Sequence, residues 1–220
     1  KVREVFFEGE QSLGGRRLQL TRQSNDVRYA KYRENARWTY GGVTFATLHI
    51  PGSNNNLGRL PEMDQEYAER NGVNIVWLQE AFRHAKQDDS KGLMILVQAN
   101  PRFEMHWPAA RKRQLFIGPA PKGPDGFADF VRALRIEVLT YDRPVALVHG
   151  DTHYFRIDKP MVLDDKRGAG RGSIVERFTR VEVFGYPEAH WVRAIVDPSD
   201  PNLFSFRAEP VEQNRMPRPH

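Results

Sequence analysis

Residues 149–154 read His-Gly-Asp-Thr-His-Tyr, which places two imidazoles, a carboxylate, a hydroxyl and a phenol in six positions. Asp151 and His153 lie two apart, so in an extended turn they share a side. A carboxylate and an imidazole converging in this way suit a divalent metal such as Mn, Fe or Zn. The histidines His149 and His153 also suit general acid-base work with no metal. A plainer reading stands beside both: histidines hydrogen-bonded after a core strand. Residues 53–56, Ser-Asn-Asn-Asn, offer Asn54 and Asn56 as donors to phosphate oxygens or as ligands of a hard metal, although such a run also reads as a turn. Asn100 is a further amide candidate, and Arg156 is placed to meet negative charge on a phosphoryl group.

These groups need rigid elements beneath them. Residues 145–148, Val-Ala-Leu-Val, are apolar without a break, the mark of a strand buried on both faces, and Gly150 turns the chain after it. Polar groups at the carboxyl end of such a strand are where open α/β sheets hold ligands. Residues 93–97, Leu-Met-Ile-Leu-Val, predict a second buried strand ending before Asn100 and Pro101. Residues 43–50 predict a third after Gly41-Gly42, running into the Asn-rich loop. Between these strands the spacing predicts helices over 62–87, interrupted at Asn71-Gly72, and over 127–141. Residues 102–123, with three prolines and several arginines, read as a long binding loop or lid.

The flanks read differently. Residues 1–7 predict a short helix, and 27–39 show no clear period, so 1–40 reads as an approach segment. Residues 158–173 read as a Gly- and charge-rich flexible loop. Residues 178–184, 190–196 and 203–207 alternate apolar and polar side chains, which predicts an antiparallel β meander with one buried face. Residues 41–211 form the expected domain and 212–220 a frayed tail.

Composition bounds the rest. The 220 residues hold no cysteine, which excludes disulfides, thiolate zinc sites and a cysteine nucleophile. No apolar run reaches the length of a membrane span, so no membrane partner is expected. Lys and Arg exceed Asp and Glu by five, which favours anionic partners or serves solubility alone. The basic residues, among them Arg16, Arg17, Arg111, Arg113, Arg167 and Arg171, form no single dense block, so no dedicated nucleic-acid stripe is indicated.

The order strand, helix, strand, helix, strand, then His-Gly-Asp-Thr-His and a meander, resembles the second half of a calcineurin-like metallophosphoesterase over about residues 41–211. His149 to His153 is similar to that family's last metal motif, Gly-His-x-His, and residues 93–101 to its preceding strand. Asp151 stands where the motif has its first His, and Ala99 where the preceding strand has a His before Pro101. The family's Asp-x-His, Gly-Asp-x-x-Asp and Gly-Asn-His motifs are not found before Gly41.

The resemblance implies an α/β fold, half of an αββα sandwich with a mixed sheet and an antiparallel meander. It implies a phosphoester hydrolase, most plausibly a phosphodiesterase acting on a small phosphoester or an RNA-like substrate. Asp151 and His153 would be metal ligands and His149 would orient nucleophile or phosphate. With most family ligands absent, the cofactor is one divalent ion or none, and His149 and His153 would then exchange protons. The alternative is a non-catalytic remnant that binds anions or a protein partner. A half sandwich would leave an apolar sheet face bare, so a homodimer is expected.

Overall fold

A computed structural model describes residues 1–115, 117, 122–163 and 172–214. Arg167 and Arg171 lie outside the described residues, as do most of the expected Gly-rich loop and the end of the tail.

The chain opens with helix α1, Val2–Phe6, then a two-residue strand β1, Thr21–Arg22. Strand β2, Ala36–Tyr40, turns at Gly41-Gly42 into β3, Val43–Thr47. A single turn α2, Gly52–Asn55, leads to the long helix α3, Pro61–Gln87. Strand β4, Leu93–Leu96, is followed by helix α4, Ala109–Gln114, helix α5, Ala128–Thr140, and strand β5, Val145–His149. Short strands β6, Arg156–Asp158, β7, Val162–Leu163, and β8, Ser173–Ile174, precede β9, Phe178–Glu182. Strands β10, Trp191–Val196, and β11, Phe204–Glu209, close the described chain as a hairpin.

The fold is α/β. Seven strands form one mixed sheet in the order β1-β2-β3-β4-β5-β9-β6. Its centre, β3-β4-β5-β9, is parallel, and both edges are antiparallel. Parallel neighbours need crossovers, and α3 and α5 supply them between β3, β4 and β5. The two helices bury Trp77, Leu78, Phe82, Phe130, Leu134 and Val138 with Leu93, Ile95, Val145, Leu147 and Phe178 of the sheet. Each fully buried side chain of this size contributes about 1.5–3 kcal/mol, so this layer is the main source of stability.

Three expectations change. Residues 178–182 do not join a meander with the two later strands: β9 lies in the main sheet between β5 and β6, and β10 and β11 pair only with each other. Strand β5 has a free edge, and Phe178 and Val181 of β9 are fully buried there, which outweighs a local hairpin. Helix α3 runs unbroken through Asn71-Gly72. Gly72 is exposed with open space around it, and Asn71 donates a hydrogen bond from Nδ2 to Asp129 Oδ2 at 3.1 Å. A helical glycine costs about 1 kcal/mol, which this interface outweighs. The segment before Gly41 supplies β1 and β2, anchored by Asn35, whose amide donates to Gln23 and Asn74 and accepts from the His49 N–H.

On the second sheet face Met94, Ala146 and Val181 are buried within one chain. Leu203 and Phe204 of the terminal hairpin pack so tightly on Gly92 that a Cβ there would meet them at 2.3 and 3.1 Å. The apolar surface on which a second copy was expected is thereby narrowed to half-buried Trp38, Phe45, Leu96 and Val148.

Candidate functional site

Four parallel strands point the same way, so the loops after β3, β4, β5 and β9 meet at one edge of the sheet. Backbone pairing continues beyond the strands. Ala99 N donates to Ile50 O at 3.0 Å, Gly150 N to Gln98 O at 3.1 Å, and Val183 N to His149 O at 2.8 Å. The loops are therefore held as firmly as the strands that deliver them.

The β5 loop turns through positive φ at Asp151 (85°) and His153 (60°), conformations that cost about 1–3 kcal/mol each and collect at functional sites. The turn is not extended, so the two side chains do not share a side. Asp151 leans toward the β3 and β4 loops: its Oδ2 accepts from Asn100 N at 3.3 Å, and a Cβ on Gly52 would come within 2.5 Å of its Oδ1. His153 leans the other way, onto the loop after β9. Its Nδ1 lies 2.8 Å from Tyr186 O. A carbonyl only accepts, so Nδ1 carries a proton and the neutral form of the ring has its lone pair on Nε2, on an exposed side chain.

His149 faces the interior. It is 1% exposed, its Nδ1 donates to Gly150 O at 2.9 Å, and its Nε2 is buried without a partner among the described residues. Burial lowers its pKa, against a smaller raising effect of the Gly150 carbonyl and Glu182. The ring is therefore harder to protonate than a free imidazole, and it sits inside the fold while Asp151 and His153 stand on the loop beyond it. Odd-numbered positions of β5, Val145 and Leu147, line the helix-side core, and His149 continues that row.

The expected substrate-binding residues are engaged within the chain. Asn54 Nδ2 donates to Leu57 O at 2.7 Å and Pro124 O at 3.0 Å, while its Oδ1 accepts from Arg102 Nη2 at 2.8 Å and Gly126 N at 3.1 Å. Asn56 Nδ2 donates to Glu66 Oε2 at 2.9 Å. Asn100, buried, donates to Thr152 Oγ1 at 3.2 Å and accepts from Arg102 N at 3.0 Å. Arg156 bridges Glu182 Oε2 at 2.8 Å and Glu104 Oε1 at 3.1 Å, so its charge is already neutralised. Asn54 and Asn100 spend their amides partly on nearby backbone groups, as short polar side chains in turns do, and Asn56 and Arg156 are held by Glu66, Glu182 and Glu104.

Under the β5 loop lies an ionic chain centred on buried Glu182 and Arg180. Thr152 donates to Glu182, which is 0% exposed; Glu182 holds Arg156; Arg156 and Arg180 share Glu104; and Arg180 also grips Asp158. Desolvation works against both charges of the Glu104–Arg180 pair, yet the hydrogen bonds hold Glu104 below the ordinary carboxylate range and Arg180 above its ordinary value. The one available signal was charge at inward positions of an alternating strand, Arg180 and Glu182. The same chain ties the β5 loop to the sheet.

Asp151 and His153, the two expected ligands of a single divalent ion, do not converge on one point. Among the described residues no three His, Asp or Glu side chains come together, and Asp151 and His153 face different walls. No helix of the described residues is long and apolar enough to cross a membrane. No family model, no curated protein and no solved structure matches this chain.

Proposed function

We propose that this chain is a phosphoester hydrolase of calcineurin-like descent, acting on phosphodiesters at the carboxyl ends of β3, β4, β5 and β9. The observation that carries the reading is His153: its Nδ1–H is fixed on Tyr186 O, and its Nε2 stands open beside the Asp151 turn. That is the arrangement a general base needs, since the bonded nitrogen sets ring and tautomer and leaves the other free.

His153 Nε2 takes the proton from the attacking hydroxyl, which is water or, in an RNA-like substrate, an internal 2′-hydroxyl held close to phosphorus. The imidazolium so formed returns that proton to solvent or to the leaving oxygen. Asp151 acts as a positioning residue: by accepting from Asn100 N and packing on Gly52 it clamps the β5 loop that carries His153. No step is assigned to a metal, because the donor set offers two divergent groups.

The second reading, a non-catalytic remnant that binds anions or a protein partner, is favoured by the divergence of Asp151 and His153, which hold to different loops. Hydrolysis of a chromogenic phosphodiester separates the two. Activity that survives EDTA and falls about 10²–10⁴-fold in His153→Ala supports the enzyme. Activity unchanged in His153→Ala removes His153 from the reaction, and no activity in the parent leaves the binding reading. Activity that EDTA removes and manganese restores would place an ion at Asp151 and His153.

A further inference from the structure

Arg102 leaves the β4 loop two residues after Asn100, and Asn54 lies two residues after Gly52. Two residues span at most about 7 Å, so whatever these side chains border lies close to the Asp151 turn. They border a concavity of about 250 Å³, completed by Leu57, Arg59, Met105 and Lys122. Drug-sized ligands fill about 300–1,000 Å³, so this space suits one small group of a larger molecule.

Its lining sets three cations, Arg59, Arg102 and Lys122, against one carboxylate, Asp125. Arg59, Arg102 and Lys122 have no carboxylate partner among the described residues. The lone acid of the lining, Asp125, is occupied: its Oδ1 accepts from Phe127 N at 2.9 Å and its Oδ2 faces His106 Nε2 at 3.4 Å. Arg102 is half-buried and fixed in place. Its backbone has φ 51° with N–H bonded to Asn100 Oδ1, and its guanidinium donates to Asn54 Oδ1 and lies 5.2 Å from the Phe127 ring centroid. A guanidinium held by an amide and a ring keeps its full charge and free N–H groups, and its fork matches phosphate oxygens. Cations gathered in a concavity focus their field on an anion.

We propose that this pocket binds a second phosphate group of the substrate, so that the preferred phosphoesters carry two or more phosphates in series. The inference rests on the phosphoesterase reading for the word substrate, but the pocket is testable without turnover. Leu57 and Met105 give it apolar surface, and Arg59, Arg102 and Lys122 supply the cations that would meet the phosphate.

Isothermal titration with inorganic pyrophosphate and inorganic phosphate tests the pocket directly. Pyrophosphate should bind at least tenfold more tightly than phosphate, and more weakly as salt rises. The double variant Arg59→Ala/Lys122→Ala alters exposed side chains with no partner among the described residues, so it keeps the fold. It should lose at least tenfold in pyrophosphate affinity, and Arg102→Lys should also weaken binding, while His153→Ala keeps it. Equal affinity in parent and double variant, or no binding by the parent, overturns the pocket. Pyrophosphate binding in a protein that hydrolyses no phosphodiester would sink the hydrolase reading and keep the pocket. Hydrolysis with an unaltered double variant would do the reverse.

Discussion

The imidazole of His153 lies against Gly185, so close that a Cβ there would come within 2.3 Å of the ring. The glycine is therefore the floor on which the ring rests while Nδ1 reaches Tyr186 O. Gly185→Ala should push the ring off this floor and break that bond. Hydrolysis should fall toward the level of His153→Ala, while the denaturation midpoint changes little because the ring is exposed. A phosphodiesterase assay beside a urea titration checks this. Full activity in Gly185→Ala would show that the Tyr186 bond is not needed.

Glu182 holds the β5 loop from below. Glu182→Ala removes a buried carboxylate from Arg156 and Thr152 together. Breaking a buried pair costs about 3–5 kcal/mol, and the lower end applies here because Arg156 is partly exposed and keeps Glu104. Equilibrium urea unfolding should show a loss of about 3 kcal/mol. Glu182→Gln, which keeps an acceptor, should lose less.

Asn35 is 0% exposed and makes three hydrogen bonds, to Gln23, Asn74 and His49 N, at 2.7–2.8 Å. Asn35→Leu leaves those partners buried and unmatched, at about 1–3 kcal/mol for each group so stranded. The variant should be among the least stable single changes in the chain. A melting temperature equal to the parent's would show that water replaces the amide.

Acid should destabilise the fold through its buried histidines. His49, His106 and His149 each have a pKa below the ordinary 6.5, with desolvation the largest cause. A group harder to protonate when folded favours the unfolded chain as protons are added. The stability is therefore fully present above pH 6.5 and is lost as pH falls from there toward the lowered folded values. Urea midpoints at about pH 7.5 and about pH 5.5 should differ, with the acid value lower. His149→Gln should reduce that difference, and an unchanged slope would remove His149 from the account.

The Asn loop is keyed to the start of α5. A Cβ on Gly126 would come within 2.1 Å of Asn54 O, while Gly126 also donates to Asn54 Oδ1 and accepts from Asn55 Nδ2 at 2.9 Å. Gly126→Ala should displace residues 54–57 and with them Arg102. Pyrophosphate affinity should fall with a modest loss of melting temperature. Unchanged affinity would show that Arg102 holds its place without Asn54.

How much of this was legible depends on how local each cause is. Strands β4 and β5 were visible because an unbroken apolar run has few places to go other than a sheet buried on both faces. Helix α5 was visible because Phe130, Val131, Leu134 and Val138 repeat at helical spacing. Strand β2 was not, because Arg37, Trp38 and Tyr40 sit toward the sheet margin, half-buried or exposed, and carry no clean alternation. The pairing of β9 with β5 was hidden for another reason: alternation tells which residues face inward, not which strand lies alongside.

The sequence by itself determined which groups stand at the strand ends: His149, Asp151, Thr152 and His153 follow a buried strand whatever the rest of the chain does. Only the tertiary structure decided what each became. Side-chain direction depends on φ, and positive φ at Asp151 and His153 sent them to opposite walls. Burial depends on packing across the whole fold, and His149 ended 1% exposed, within the field of Arg180 and Glu182. Free charge depends on partners distant in sequence. Glu182 and Glu104, 26 and 52 residues from Arg156, neutralised it, while Arg102 found an amide and a ring and kept its charge.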